Sequence, residues 1–301
     1  MARKILITGA EGQLGKALHK VLEDKYDVIP TVRENSISDK IRNVQVLNIT
    51  KRDDVMKTMQ LLRPDIIINC AAYVDVDVCE INKNQAHLVN VVGLENLING
   101  SDHDTFIIQI SSDYVFNGDS GPYSEEDHTY PINYYGKTKL EAENILRGCR
   151  RKYLIIRSNV LYSENLFHKS NFLGWVYKSL IKNISISVVN DQISNPTYTS
   201  HLAEAIFQCI ILNAEGIYHY GSDDYLSRYE FAKAIAKNHK LDESLIISIN
   251  TEKLSQHIPS YVAKRPKNSG LKTVKIESEI GLTIYSTKYS LSLLKNSLVQ
   301  A

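Results

Sequence analysis

A doubly wound parallel α/β sheet with a smaller C-terminal domain is the fold this 301-residue sequence predicts, on three observations. Short apolar runs without polar alternation recur through the first 160 residues, as strands buried on both faces of a parallel sheet require. Helical patterns separate them, and strands alternating with helices imply parallel pairing through crossovers. The first run ends in spaced glycines that open a helix, the arrangement that lets a backbone turn sharply against a pyrophosphate.

Taken in order, Lys4–Thr8 is a strand, Gly9-Ala-Glu-Gly12-Gln-Leu-Gly15 the turn, and Lys16–Glu23 an amphipathic helix. Tyr26–Val32 and Val44–Leu47 read as strands, Lys51–Leu62 as a helix, Asp65–Cys70 as a strand and Glu80–Ile98 as one long helix. Thr105–Ile110 is a strand ending at Ser111-Ser112, Asn133–Leu146 a helix, and Tyr153–Arg157 the next strand. Beyond about residue 160 the alternation loosens, which places a dinucleotide-binding domain at 1–160 and a substrate-binding domain at 161–301, with room for the chain to recross. In that half Phe172–Lys182, Leu202–Leu212, Ser227–Asn238 and residues 284–300 read as helices, and Ile184–Val189 and Gly216–Tyr220 as strands.

Ligands of such sheets bind outside the carboxyl ends of the strands, where the Gly9 turn, Asn69–Tyr73, Ser111-Ser112 and the turn after Arg157 converge. After the second strand an acid would take the ribose 2′-hydroxyl of NAD and an arginine the 2′-phosphate of NADP. Arg33 favours NADP, with NAD as the alternative because Glu34 follows it.

Tyr135 and Lys139 stand one turn apart on the helix face that follows Ser112. A phenol titrates near ~10, and an ammonium one turn away is expected to lower it by favouring the phenolate. A serine hydroxyl at the strand end would hold a carbonyl oxygen beside that phenol, which general-acid catalysis requires. A second Tyr-x-x-x-Lys pair, Tyr229 and Lys233, lacks an upstream strand ending in Ser-Ser and reads as a helix surface.

Composition narrows the function. With 43% hydrophobic residues the chain can bury a large core, and Lys+Arg 35 against Asp+Glu 34 leaves a net charge of +1 with no run that recommends nucleic acid. Cysteines 70, 79, 149 and 209 are scattered and the nine histidines dispersed, so neither disulfides nor a metal site is expected, which suits a reducing cytoplasm. Asp75 and Asp77, just before a helix, read as capping and dipole residues. No apolar run approaches membrane-spanning length, and the N-terminus carries no signal-peptide core. A homodimer is the commonest assembly for such a chain.

Together, Gly9-x-x-Gly-x-x-Gly15, Ser111-Ser-Asp-Tyr-Val-Phe116, Tyr135-Gly-Lys-Thr-Lys139, Asn190-Asp-Gln192 with Pro196-Thr197, and Arg265-Pro-Lys-Asn-Ser269 resemble the extended short-chain dehydrogenase/reductases of Rossmann fold. Within them the pattern is similar to the dTDP-4-dehydrorhamnose reductase family. The resemblance implies reduction of the C4 ketone of a nucleotide-linked 4-keto-6-deoxy sugar by NADPH or NADH, a step of deoxysugar and polysaccharide biosynthesis. It implies Tyr135 as proton donor, Ser112 as carbonyl-orienting group and Lys139 on the nicotinamide ribose. Gly9, Gly12, Gln13, Leu14, Gly15, Arg33, Asn48, Ile49, Ala71 and Ala72 would line the cofactor, with Asn90 behind the site. Val74, Tyr114, Val160, Asn171, Phe172, Asn190, Gln192 and Arg265 would line the sugar nucleotide, Arg265 being suited to a diphosphate through its forked donors. Val160 stands where these reductases often place a tryptophan, and Trp175 reads as core. A small aliphatic there also resembles a non-catalytic relative, the regulatory β-subunit of methionine adenosyltransferase; a nucleotide-sugar epimerase is the third reading.

Overall fold

The computed structural model describes residues 3–33, 43–258, 260 and 262–294. In chain order its elements are β1 (Lys4–Thr8), α1 (Gln13–Leu22), β2 (Asp27–Val32), β3 (Gln45–Val46), α2 (Arg52–Leu62) and β4 (Ile66–Asn69). There follow α3 (Val76–Ile81), α4 (Lys83–His87), a π-turn (Leu88–Val92), α5 (Gly93–Gly100), β5 (Phe106–Ser112), α6 (Tyr134–Gly148) and β6 (Tyr153–Ser158). The second half comprises β7 (Leu161–Tyr162), α7 (Phe172–Ile181), β8 (Ile186–Val189), β9 (Ile193–Ser194), β10 (Thr197–Tyr198), α8 (Thr199–Ile211) and β11 (Gly216–Tyr220). Last come β12 (Leu226–Ser227), α9 (Arg228–His239), β13 (Ile246–Ile249), α10 (Thr251–His257), α11 (Val274–Ile280) and α12 (Thr287–Leu293).

Seven strands form one parallel sheet in the order β11-β6-β5-β4-β1-β2-β3, so the topology reverses direction between β1 and β4. The apolar runs lack alternation because both faces are covered. Ile5 and Ile7 pack with Leu14, Leu18, Leu202 and Ile206 on one side, while Leu6 packs with Val55, Met59 and Leu97 on the other. The sheet continues through Ile107 and Ile155 against Leu94, Ala142 and Leu146. A separate core of Tyr162, Leu173, Val176, Phe231, Ile235 and Leu291 holds the second half together. Two elements beyond residue 160 join the sheet and its covering layer: α8 packs on α1, and β11 adds to the main sheet beside β6.

Two expectations need correction. The helix expected over Glu80–Ile98 is broken, because Asn82 leaves helical geometry (φ −111, ψ 60) and ends α3, and the chain then winds through the π-turn, where the Gly93 N–H reaches the Leu88 carbonyl. The terminal helix expected over 284–300 is α12, which covers Thr287–Leu293; positions 295–300 lie outside the described residues, as does Glu34. Among the described residues no helix is long and apolar enough to cross a membrane.

Candidate active site

The carboxyl ends of β1, β4, β5 and β6 open into one cleft of about 970 Å³. Polar side chains tie these ends together: Thr8 Oγ1 donates to Asn69 Oδ1 (2.6 Å), Asn69 Nδ2 to Gln109 Oε1 (2.7 Å), and the Ala71 N–H to Thr8 Oγ1 (3.1 Å). These buried rungs fix the floor, since buried polar groups hold their partners tightly where no water competes.

At one end of the cleft lie Gly9, Gly12, Gln13, Leu14, Gly15, Arg33, Asn48, Ile49, Ala71 and Ala72. A Cβ on Gly15 would stand 2.4 Å from the Gly9 carbonyl oxygen, so only glycine lets α1 begin this close to the turn. Gly12 caps α1 without a side chain, which leaves the helix N-terminal N–H groups to an anion. Gln13 braces the turn from across the cleft, accepting from Ser163 Oγ at 2.8 Å. A dinucleotide fits this end: glycine cradle, open helix N-terminus, and Arg33 beyond β2.

At the other end are Ser112, Asp113, Tyr114, Tyr135, Lys139, Val74, Val160 and Arg228. Asn133 caps α6 by accepting from the Gly136 N–H (2.8 Å), which puts Tyr135 in the first turn and Lys139 one turn further. Gly136 lets that turn press against the chain after β5, since a Cβ would lie 2.1 Å from the Tyr114 carbonyl oxygen. The Tyr114 and Tyr135 rings then meet edge to face at 6.0 Å. Behind them Asn90, in the π-turn, accepts from the Tyr73 N–H (2.7 Å) and donates to Thr138 Oγ1 (3.0 Å), bracing α6 against the β4 end. π-turns often mark functional positions for this reason.

The electrostatics differ from the expected phenol tuning. Lys139 Nζ donates to the Ile110 carbonyl (2.6 Å), and burial pulls its pKa down to about 8 against the opposing charge of Glu143. For Tyr135, burial and then the neighbouring Asp113 carboxylate, against the opposing influence of the Ser112 hydroxyl, push the phenol up, not down. Its proton therefore stays on at neutral pH. Asp113 is itself buried and pushed up to about 6, against hydrogen bonds from Ser269 Oγ (2.5 Å) and Ser112 Oγ (2.9 Å). Sequence reasoning passed over Asp113, whose only signal was its place after Ser112.

Five expected residues do not line the cleft. The Arg265 fork is closed on Asp77, with Nη1 to Oδ1 at 3.0 Å and Nη2 to Oδ2 at 2.5 Å, and burial leaves this pair only 13% and 19% exposed. Asp77 also accepts from the Val262 and Ala263 N–H groups, and with Arg265 these bonds hold its carboxyl below the usual range despite burial. Asp75 caps α3 as expected. Asn190 is exposed and donates to Ser248 Oγ (2.9 Å), and Gln192 donates to Thr251 Oγ1 (2.9 Å), so the first ties the end of β8 to β13 and the second the start of β9 to α10. Asn171 ties up its own loop through the Ser163 and Asn165 carbonyls, and Phe172 stacks on Phe231 at 5.4 Å. The second pair, Tyr229 and Lys233, lies on α9, where Lys233 pairs with Glu243 at 3.1 Å. Among the described residues no group of three His, Cys, Asp or Glu could hold a metal ion.

Comparison with known proteins agrees with this geometry. The family model described as RmlD substrate binding domain matches residues 3–299. A curated relative named dTDP-4-dehydrorhamnose reductase, from Aggregatibacter actinomycetemcomitans, is 35% identical over 94% of each chain. Methionine adenosyltransferase 2 subunit beta from Xenopus laevis is 31% identical over 92% of this chain and 82% of its own. The crystal structure of dTDP-4-dehydrorhamnose reductase from Bacillus anthracis in complex with NADP superposes with a TM-score of 0.86, 31% identity and complete coverage of both chains. The chain belongs to the RmlD substrate-binding domain family, among the extended short-chain dehydrogenase/reductases.

Proposed function

We propose that this chain reduces the C4 ketone of a dTDP-linked 4-keto-6-deoxy sugar, with NADPH as cofactor, in deoxysugar and polysaccharide biosynthesis. Relatives carrying the dTDP-4-dehydrorhamnose reductase name and an NADP-bound structural neighbour support the substrate class and the cofactor. The observation that carries the reading is the meeting of half-buried Tyr135 with buried Ser112 and Lys139 in the same cleft as the Gly9 turn.

Bound NADPH would supply the hydride. Gly9, Gly12 and Gly15 admit its pyrophosphate, Arg33 its 2′-phosphate, Asn48 and Ile49 its adenine side, and Lys139 its nicotinamide ribose. Tyr135 donates the phenolic proton to the C4 oxygen, a transfer favoured because an alkoxide is a stronger base than a phenolate. The raised phenol pKa keeps that donor loaded at neutral pH. Ser112 holds the carbonyl oxygen in line, and Val74, Tyr114 and Val160 contact the sugar. Residues 1–160 supply most of the cofactor half and residues 161–301 most of the substrate half, with α8 and β11 returning to the cofactor half, and the assembly belonging to this reading is a cytoplasmic homodimer.

The test is NADPH oxidation with dTDP-4-keto-6-deoxy sugar, wild type beside Tyr135→Phe. Loss of the proton donor lowers turnover by roughly 10²–10⁴-fold. A wild type that binds NADPH but reduces no thymidine, uridine, cytidine or guanosine keto-sugar refutes the enzyme. That outcome favours the regulatory reading, which the relatives named as a methionine adenosyltransferase subunit and the small Val160 side chain support.

A further inference from the structure

The cleft receives two diphosphates if the reductase reading holds, one from the cofactor and one from the sugar nucleotide. The glycine end has α1 and Lys16 for the first. The arginine expected to serve the second, Arg265, is closed on Asp77. Arg228 stands at the right end of the cleft, near enough to Asp113 to lower its pKa through charge. Among the described residues its guanidinium makes no hydrogen bond or ion pair; its one side-chain contact of note is the Phe172 ring, 5.8 Å from the guanidinium carbon.

Its place in the fold is locally unfavourable. Arg228 is the first residue of α9, where the helix dipole disfavours a cation. The turn is nonetheless built firmly. Ser227 and Glu230 form a reciprocal capping box, with bonds of 2.8 and 3.1 Å, and the Arg228 N–H donates to the Gln192 carbonyl at 3.1 Å. Sequences keep a locally unfavourable residue on a rigid support where a site requires it. The Phe172 ring beneath the guanidinium restrains it and leaves edge donors for paired oxygens, the geometry in which arginine outdoes lysine.

We propose that Arg228 binds the diphosphate of the nucleotide-linked substrate, and that Arg265 instead clips residues 262–265 to Asp77. The proposal rests on the reductase reading and assigns one group of its substrate to one side chain. It makes Phe172, expected to touch the sugar, a support for Arg228.

The experiment measures binding of dTDP, thymidine and NADPH by calorimetry to wild type, Arg228→Gln and Arg228→Lys, with kcat and KM for the keto-sugar alongside. The expected result is a loss of dTDP affinity of roughly 10–100-fold in R228Q, the worth of charge-assisted hydrogen bonds. Thymidine and NADPH binding stay within about threefold, R228K recovers only part of the loss, and KM rises more than kcat falls. Equal dTDP affinity in wild type and R228Q overturns the proposal and leaves the reductase standing if turnover persists. So does an equal loss for thymidine, which makes Arg228 a packing residue, or a changed pH profile with dTDP affinity intact, which makes it the partner of Asp113. A wild type that binds no dTDP overturns this proposal and the substrate reading together. If R228Q loses NADPH binding as well, R228K decides: wild-type dTDP affinity there overturns the need for the fork.

Discussion

Replacing Glu143 by Gln tests how the catalytic helix is anchored. Glu143 lies on α6 one turn after Lys139 and is fully buried. Its two oxygens meet Arg157 on β6, Nε to Oε1 at 3.0 Å and Nη2 to Oε2 at 2.7 Å, and Ser111 Oγ on β5 also donates to it. Arg157 is 2% exposed, stacks over Phe116 at 5.2 Å and donates to His219 Nε2 at 3.3 Å. His219 is held neutral, its pKa pulled down to about 3 by burial and then by the Arg157 charge, so its other nitrogen donates to the Tyr123 carbonyl. Glu143→Gln leaves the guanidinium buried without its carboxylate, which costs about 3–5 kcal/mol. At about 2 °C per kcal/mol, the lower end of the range for large domains, that is a fall of about 6–10 °C in Tm. The assay is thermal unfolding at one scan rate, with Arg157→Met and Glu143→Leu/Arg157→Met beside the single variant. Replacing both charges by apolar groups recovers much of the loss, because a buried pair is worth little net of its desolvation. A Glu143→Gln shift below about 2 °C, or a double variant as damaged as the sum of the singles, refutes the argument.

Three further outcomes follow from the structure. Lys139 titrates near 8 and Glu143 supports its charge, so kcat/KM for NADPH falls as pH rises through about 8, and in Glu143→Gln that limb moves to lower pH; a limb fixed in both proteins separates Lys139 from it. Stability responds with the opposite sign: with the folded pKa depressed below 10.5, the unfolded chain binds the extra proton between the two values, and stability rises with pH across that window. Val160 sits at φ 41, a conformation that costs a β-branched residue about 1–3 kcal/mol. Val160→Gly should therefore unfold at or above the temperature of Val160→Ala, reversing the usual order in which glycine is the weaker by roughly 0.5–1 kcal/mol; the usual order would remove strain from the account.

The parts of this fold legible in the sequence are those whose signal is local. β1, β4, β5 and β6 are apolar at consecutive positions because helices cover both faces, and the glycine turn announces itself by spacing. The two-residue strands β7, β9, β10 and β12 are too short to show a period, and α10 and α11 span seven residues each, two turns at most. The break at Asn82 hides inside a helical pattern because a single residue leaving helical φ/ψ changes no periodicity.

The site divides along the same line. Ser112, Tyr135 and Lys139 were legible because a strand end and one helical turn place them together. Arg265 carried the right chemistry for a diphosphate, and its side chain still went to Asp77, 188 positions earlier, because a fork matches a carboxylate as well as a phosphate. Residue type states what a side chain can bind; only the packed structure states what it already holds. The tyrosine shows the converse. Its neighbour one turn away predicted a lowered phenol pKa, but the ammonium bonds under the strand to the Ile110 carbonyl while burial and Asp113 act on the phenol directly. A proton donor needs its proton in place when the ketone arrives, and burial secures that here. Lys139 is then better employed as a positive group near the hydride source than as a means of ionising Tyr135.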